Sequence, residues 1–298
     1  MQMHRSGFAV LVGRPNVGKS TLINSLLGEK VTIVSDKPQT TRNRIRAVLT
    51  RDEAQVIFID TPGLHKPKHK LGSAMVQAAR NTLHEVDLVC FIVEGHCLPG
   101  PGDRHVAALF EKVSTPVFLV LNKADLTTAR KLAEHSDRYR ALHPFDAVFT
   151  LSALHKTRLA PFMDAVIERL PEGPRYYPPE MITDQPERFI AAEIIREKII
   201  NATREEIPFS VAVVIESLAF REGKNIIDIR AEIFVERKSQ TGIVIGKGGS
   251  LLKQAGSAAR QELQSLFGQQ VYLDLWVKVK KDWRNREGSL REFGYTDL

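Results

Sequence analysis

Gly13-Arg14-Pro15-Asn16-Val17-Gly18-Lys19-Ser20 fits the pattern G-x-x-x-x-G-K-[ST] throughout. Glycines at the ends of such a run let backbone N–H groups turn toward phosphate oxygens, and a helix beginning at Lys19 adds the partial positive charge of its N-terminus. Lys19 would neutralise β- and γ-phosphate charge, and Ser20 would offer a hydroxyl to Mg2+. Arg14, Pro15, Asn16, Val17, Gly18 and Thr21 complete the expected phosphate cradle. Asp60-Thr61-Pro62-Gly63 follows a second apolar run. Asp60 suits a magnesium partner through water, and the Gly63 N–H suits a γ-phosphate contact that is lost on hydrolysis. Asn122-Lys123-Ala124-Asp125 follows another. The Asp125 carboxylate can accept two N–H bonds from guanine, whose N1–H and N2–H₂ form a fork that adenine lacks. Asn122 would fix this loop and meet the base, and the Lys123 stem can lie over the ring. Leu151-Ser152-Ala153 offers backbone N–H groups to the guanine carbonyl.

These residues need a rigid frame. From Phe8 to about Leu170, short apolar runs (Phe8–Val12, Val56–Ile59, Leu88–Val93, Val117–Leu121, Ala147–Leu151) alternate with helix-length segments (Lys19–Leu27, Gly72–Leu83, Asp103–Val113, Ala129–Leu142, Leu159–Leu170). Strands this apolar are buried on both faces, so the order predicts an α/β domain with a mostly parallel sheet. Arg44–Thr50 alternates and reads as a hairpin partner of Gln55–Asp60. Each motif then sits at the carboxyl end of a strand, where ligands bind in such sheets.

Five prolines between Pro171 and Pro186 predict a stiff linker and a domain boundary. Beyond it the order changes to a helix (Glu187–Thr203), two strands (Phe209–Ala219, Asn225–Glu236), a helical region and a last strand (Val271–Val279), an α+β arrangement. Between Arg237 and Arg286, ten Lys/Arg face three acids within a chain whose overall charge is +7. That stretch contains Gly246-Lys247-Gly248-Gly249, a G-x-x-G loop between an apolar segment and an amphipathic helix. Lys247, Lys253, Lys278, Lys280, Lys281, Arg284 and Arg286 are candidate phosphate contacts. Trp276, among apolar neighbours, reads as core, and Trp283 as a residue that could stack a base. His65 and His69 read as solvated.

The composition excludes other classes. The 298 residues suffice for two domains, and 43% hydrophobic with 26% charged residues is globular. No apolar run approaches the ~18 residues of a membrane span, and no cleavage site follows Phe8–Val12, so a soluble chain is expected. Two cysteines, Cys90 and Cys97, form no disulfide framework and have no zinc-like partner cysteines.

The four nucleotide motifs in this order resemble the Ras-like, translation-factor-class GTPases. Gly13–Ser20, Gln39-Thr40-Thr41-Arg42 and Asp60-Thr61-Pro62-Gly63-Leu64-His65-Lys66-Pro67 resemble the Era branch. The second half resembles a type II KH domain, whose G-x-x-G loop (Gly246 to Gly249) clamps a single-stranded backbone. The resemblance covers nearly the whole chain. It implies GTP/GDP and Mg2+ as ligands, with Gln39–Asn43 as the first switch and either Thr41 or Thr40 as the hydroxyl on Mg2+ and γ-phosphate. Lys19, Thr41 and Gly63 are then the hydrolytic set, and Ser20, Thr41 and Asp60 the magnesium set. Related GTPases with an asparagine at Asn16 hold K+ there. Leu64 stands where Ras-type relatives carry a water-orienting glutamine, so slow turnover is implied. The resemblance further implies binding near the 3′ end of 16S ribosomal RNA, a role in 30S subunit maturation, a cytoplasmic monomer, and peripheral contact with the inner face of the membrane. Glu94-Gly95-His96-Cys97-Leu98-Pro99 departs from the family pattern, without expected effect on the nucleotide site.

The expected architecture is an α/β P-loop GTPase domain (1–170) with a six-stranded, mostly parallel sheet and helices on both faces, a linker (171–186), and an α+β type II KH domain with a C-terminal extension (187–298). Coupling is expected if GTP orders Lys37–Arg46 and Gly63–Lys70 against the second domain. Two rival classes are a P-loop kinase acting on RNA or a nucleotide, and a regulator of membrane or protein contacts. The kinase has no use for Asn122–Asp125, and the regulator would bind RNA weakly and insensitively to salt.

Overall fold

A computed structural model describes residues 4–295. The first domain runs β1 (Arg5–Val12), α1 (Lys19–Leu27), β2 (Ile45–Thr50), β3 (Ala54–Asp60), α2 (Lys70–Thr82), β4 (Leu88–Glu94), α3 (Pro101–Ala107), β5 (Val117–Asn122), α4 (Ala129–Arg140), β6 (Ala147–Thr150) and α5 (Leu159–Arg169). Its six-stranded sheet has the order β2-β3-β1-β4-β5-β6, with only β2 antiparallel. Successive side chains of a strand enter opposite cores. Ala9 and Leu11 pack with Leu22, Phe162 and Val166 of α1 and α5. Val10 and Val12 pack with Val76, Val106 and Leu132 of α2, α3 and α4. Helices on both faces explain why these strands lack alternation, and burying each such side chain stabilises by roughly 1.5–3 kcal/mol.

The chain leaves β1 at the point where strand order reverses. There the register sets Leu11 beside Asp60 and Glu94 beside Asn122, so three motifs meet along one edge.

The second domain contains α6 (Glu187–Ala202), α7 (Ile207–Ser210), β7 (Ala212–Phe220), β8 (Ile226–Val235), α8 (Lys238–Ile245), α9 (Ser250–Phe267), β9 (Gln270–Val279) and α10 (Glu287–Glu292). Its sheet β7-β8-β9 pairs β8 with β9 in parallel, over a core including Ile195, Ile229 and Leu263. Phe209, expected to open a strand, lies in α7 instead. Pro208 has no N–H to give a ladder and suits a helix's first turn, where Val211 N–H closes onto Ile207.

Residues 171–186 lie along the first sheet. Val48 N–H bonds the Ile182 carbonyl (2.8 Å), and Ser6 N–H bonds Pro171 (3.0 Å). The buried Gln55 amide acts as a surrogate strand: its Oε1 accepts from Tyr176 and Tyr177 N–H (2.7 and 2.9 Å), and its Nε2 donates to the Tyr177 carbonyl (2.9 Å). A fourth cluster joins Leu71 and Met75 of α2 to Ala212, Phe234, Trp283, Phe293 and Tyr295, so the two halves share a core. Among the described residues no helix is long and apolar enough to cross a membrane.

Candidate functional site

The loop from β1 to α1 opens a cleft of about 490 Å³ lined by Pro15, Asn16, Gly18, Lys19, Ser20, Thr21, Thr41, Gly63 and Lys123, among others. Gly18 has φ +96°, and a Cβ there would sit 2.3 Å from Asn122 Nδ2. That amide donates to the Val17 carbonyl (2.8 Å), and Asn122 Oδ1 accepts from Ala153 N–H (2.9 Å). Both ends of the Asn122 amide therefore tie loops together. Gly63 approaches the same loop so closely that a Cβ would lie 2.6 Å from Pro15 N.

Three hard oxygens converge at the cleft floor. Ser20 Oγ donates to Asp60 Oδ2 (2.6 Å), Thr41 Oγ1 donates to the same oxygen (3.3 Å), and the two hydroxyls are 3.0 Å apart. Thr40 turns away, its hydroxyl donating to the Lys37 carbonyl (2.7 Å). Asp60 Oδ1 is buried without a hydrogen-bond partner, and burial pushes the Asp60 carboxyl up. Beside it, burial lowers the Lys19 ammonium from 10.5 to about 8. A buried carboxylate short of a cation and a buried ammonium short of an anion fit a magnesium-bound phosphate.

At the base end, Asp125 is held low by the Ser152 hydroxyl, with His155 a smaller contributor. Asn16 adopts φ +65° and donates from Nδ2 to the Asp36 carbonyl (2.6 Å). The Arg14 side chain turns away to Asp103 (2.7 Å) and Glu94 (3.4 Å), while its carbonyl accepts from Lys19 Nζ (3.2 Å).

Glu94 corrects one expectation. It lies in the cleft wall and pairs with Lys123 (2.5 Å), so the unusual segment does touch the nucleotide site. His65 corrects another. Its Nδ1 lies 2.8 Å from the Gly63 carbonyl, which can only accept, so Nδ1 carries the proton and Nε2 accepts from Gln39 Nε2 (3.0 Å). A histidine expected to be solvated thus joins Gln39 to the segment that follows Gly63.

In the second domain Gly246 to Gly249 form the turn between α8 and α9, with Lys247 and Lys253 exposed. A groove of about 410 Å³ runs past Gly249, Leu252, Lys253, Gly256, Arg260 and Leu275. Arg260 escaped the sequence reading, although it stands two helical turns beyond Lys253 on one face. Other candidate cations are partly committed. Lys278 pairs with Glu232 and Arg284 with Glu236 (2.5 Å), and Lys280 pairs with Glu292 over the Phe293 ring. Lys281 and Arg286 are exposed. The two tryptophans exchange their expected places. Trp276 is 57% exposed and Trp283 is fully buried, its Nε1 donating to Ser210 (2.8 Å). Trp276 shares its face of β9 with Asp274 and Lys278, so it points away from the helices. Trp283 instead packs against Phe293 and Tyr295.

A family model described as a 50S ribosome-binding GTPase matches residues 8–123, and a KH-domain model matches residues 206–284. "GTPase Era" of Alkaliphilus oremlandii is 52% identical, over 98% of this chain and 99% of that protein. "GTPase Era" of Heliobacterium modesticaldum is 52% identical, over 100% of this chain and 99% of that one. Among solved structures, a point variant of Aquifex aeolicus Era bound to GDP.AlF4- superposes with a TM-score of 0.94 at 42% identity, covering 98% of this chain and 99% of the other. Era in complex with MgGDPNP and nucleotides 1506–1542 of 16S ribosomal RNA gives 0.95 at 42% identity and the same coverage.

Proposed function

The chain belongs to the Era family of GTPases, and from that premise we propose that it is a GTP-hydrolysing switch that binds single-stranded RNA near the 3′ end of 16S ribosomal RNA and acts in 30S subunit maturation in the cytoplasm. The choice of subunit rests on the full-length relatives rather than on the G-domain model. Peripheral contact with the inner face of the membrane is carried only by the family resemblance. The observation that carries the coupling is a pair of neighbours. Thr41 belongs to the oxygen cluster on the cleft floor, and Arg42, the next residue, is buried in the second domain against the carbonyls of Pro208, Phe209 and Val211.

We assign Lys19 to the β- and γ-phosphates, Asp125 to the guanine N–H fork, and Ser20, Thr41 and Asp60 to the metal. Bound there, Mg2+ would neutralise phosphate charge. The Gly63 N–H is assigned to the γ-phosphate, and loss of that phosphate frees the segment His65 ties to Gln39. The amide oxygen of Asn16 is the atom left for K+. Lys247, Lys253 and the cations of β9 and its C-terminal flank hold RNA backbone around Gly246, Gly248 and Gly249. We take 171–186 as the linker, tied along the first sheet by Val48, Ser6 and Gln55.

Leu64 supplies a direct mechanistic prediction. It is 3% exposed, packed in the core with Val76 and Phe91, and its N–H bonds the Gly13 carbonyl (3.0 Å). The side chain faces away from the phosphate side, so Leu64→Gln should not raise intrinsic turnover. It should cost about 1–3 kcal/mol by burying an unpaired amide. Single-turnover hydrolysis with thermal melting reads both; faster hydrolysis would contradict the assignment.

The functional reading is tested by GTP hydrolysis and RNA affinity with 16S 3′-end oligonucleotides, in K+ and in Na+. Tighter RNA binding with a non-hydrolysable GTP analogue than with GDP supports it. Equal turnover in both salts removes the role of Asn16, and ATP binding as tight as GTP removes the whole reading.

A further inference from the structure

Where β4 ends, the chain makes a tight turn, Glu94-Gly95-His96-Cys97, closed by Cys97 N–H bonding the Glu94 carbonyl (3.1 Å). Two neighbours fix this turn. Gly95 N–H donates to the Asn122 carbonyl (2.7 Å), and His135 Nδ1 lies 2.8 Å from the Gly95 carbonyl as its donor. The side chains of Glu94, His96 and Cys97 come together on one side, with one ligand atom of each within 4.8 Å of the others. His96 Nδ1 is buried and has no hydrogen-bond partner.

We propose that Glu94, His96 and Cys97 form a binding site for a thiophilic divalent cation of the zinc type at the mouth of the nucleotide cleft. Thiolate, imidazole and carboxylate together suit zinc and not magnesium, which prefers an all-oxygen shell. The oxygen cluster of Ser20, Thr41 and Asp60 therefore makes a poor competitor for the same ion. Three protein ligands leave a fourth tetrahedral position to water. Ligand separations in a tetrahedral zinc site are about 3–4 Å at bond lengths of about 2.0–2.3 Å, so small side-chain rotations close the set. Cys97 loses its thiol proton to solvent as the metal binds. Glu94 Oε1 is held by Lys123, whereas Oε2 has only the longer 3.4 Å contact to Arg14 and is the oxygen available. Cys90, the other cysteine, is buried in the sheet and takes no part. The absence of partner cysteines in the sequence thus does not exclude zinc, because His96 and Glu94 stand in for them.

The test uses the full chain, reduced, with Mg2+ and GDP present, and Co2+ as an optical probe. One equivalent of Co2+ should produce a thiolate-to-cobalt charge-transfer band and the visible bands of four-coordinate cobalt. One equivalent of Zn2+ should bleach both. Cys97→Ser should lose the charge-transfer band entirely, His96→Ala should lose the four-coordinate spectrum, and Cys90→Ala should keep both. Circular dichroism and retained GDP binding verify that each variant is folded. No charge-transfer band in the parent chain, or a band that persists in Cys97→Ser, would overturn the site. Because the readout is optical and needs no hydrolysis, its failure leaves the GTPase reading untouched.

Discussion

Lys19→Met should weaken triphosphate binding at least a hundredfold and at the same time make the nucleotide-free protein more stable. Lys19 is 6% exposed, and its ammonium donates to the Arg14 carbonyl at 3.2 Å. Burial lowers it to about 8 from 10.5, against the opposing pull of Asp60. A shift of that size means the folded chain holds the charge at a cost of about 3 kcal/mol near neutral pH. The unfolded chain binds the proton more tightly between those two values. Stability of the nucleotide-free protein therefore rises as pH climbs from about 8 toward 10.5, and below about 8 the full penalty stands. Methionine fills similar volume without charge, so the variant should melt higher at neutral pH and lack the alkaline rise. Phosphate oxygens remove the penalty in the parent, so the same substitution should weaken GTP binding at least a hundredfold, about 3 kcal/mol or more. Paired melting curves at several pH values, with and without GDP, read the effect. A lower neutral melting point, or GTP affinity within tenfold of the parent, would contradict this account of Lys19.

The nucleotide motifs were legible in the sequence because each is a short run of residues whose chemistry depends on neighbours in the chain. Gly18 must adopt a left-handed conformation next to a lysine, and the buried strands declare themselves by unbroken apolar runs. The KH half was legible for the same reason, down to its G-x-x-G turn. Long-range placement was harder. Trp276 was readable in principle, since Asp274 and Lys278 share its parity on β9 and give away a wet face. Trp283 was not, because its burial depends on Phe293 and Tyr295 folding back over it from the C-terminal extension. Glu193, Arg196 and Glu197 look like the polar stripe of an amphipathic helix, yet all three are buried. Glu197 accepts from Val34 N–H (2.9 Å), Arg196 donates to the Thr40 carbonyl, and Glu193 orients Arg196 (2.7 Å). Only the docking of the stretch from Lys30 to Thr40 onto α6 explains them. Proline spacing announced a stiff connection between the halves. That it lies on Gln55 and the β2 edge could not be read from composition.

The second large effect is expected at Arg42, whose side chain never lines the nucleotide cleft. It is 1% exposed, donates to the carbonyls of Val211 (2.7 Å), Pro208 (3.1 Å) and Phe209 (3.1 Å), and lies over the rings of Trp283 and Tyr295 at 5.7 and 5.8 Å. Arg42→Ala strands three carbonyls and removes the guanidinium packed on two aromatic rings, a loss of about 3–5 kcal/mol at the seam between the domains. Lysine should not restore it, because a single ammonium cannot meet three carbonyls and stack on rings as a planar guanidinium does. The seam is not fully satisfied, for Arg42 Nε and Arg196 Nη1 are both buried without partners. Arg42 thus joins the segment beside the Ser20, Thr41 and Asp60 oxygens to the second domain, and the proposed coupling would run through this contact. GTP affinity should then stay within a few-fold in Arg42→Ala, since Ser20, Lys19 and Asp125 are untouched. The difference in RNA affinity between the GTP-analogue and GDP states should collapse toward one. Fluorescence anisotropy of a labelled 16S 3′-end oligonucleotide in both states measures this directly. If Arg42→Ala keeps the parent's nucleotide dependence, the signal passes from the first switch to the RNA-binding groove by some other contact, of which Arg196 with Thr40 would be the next to test.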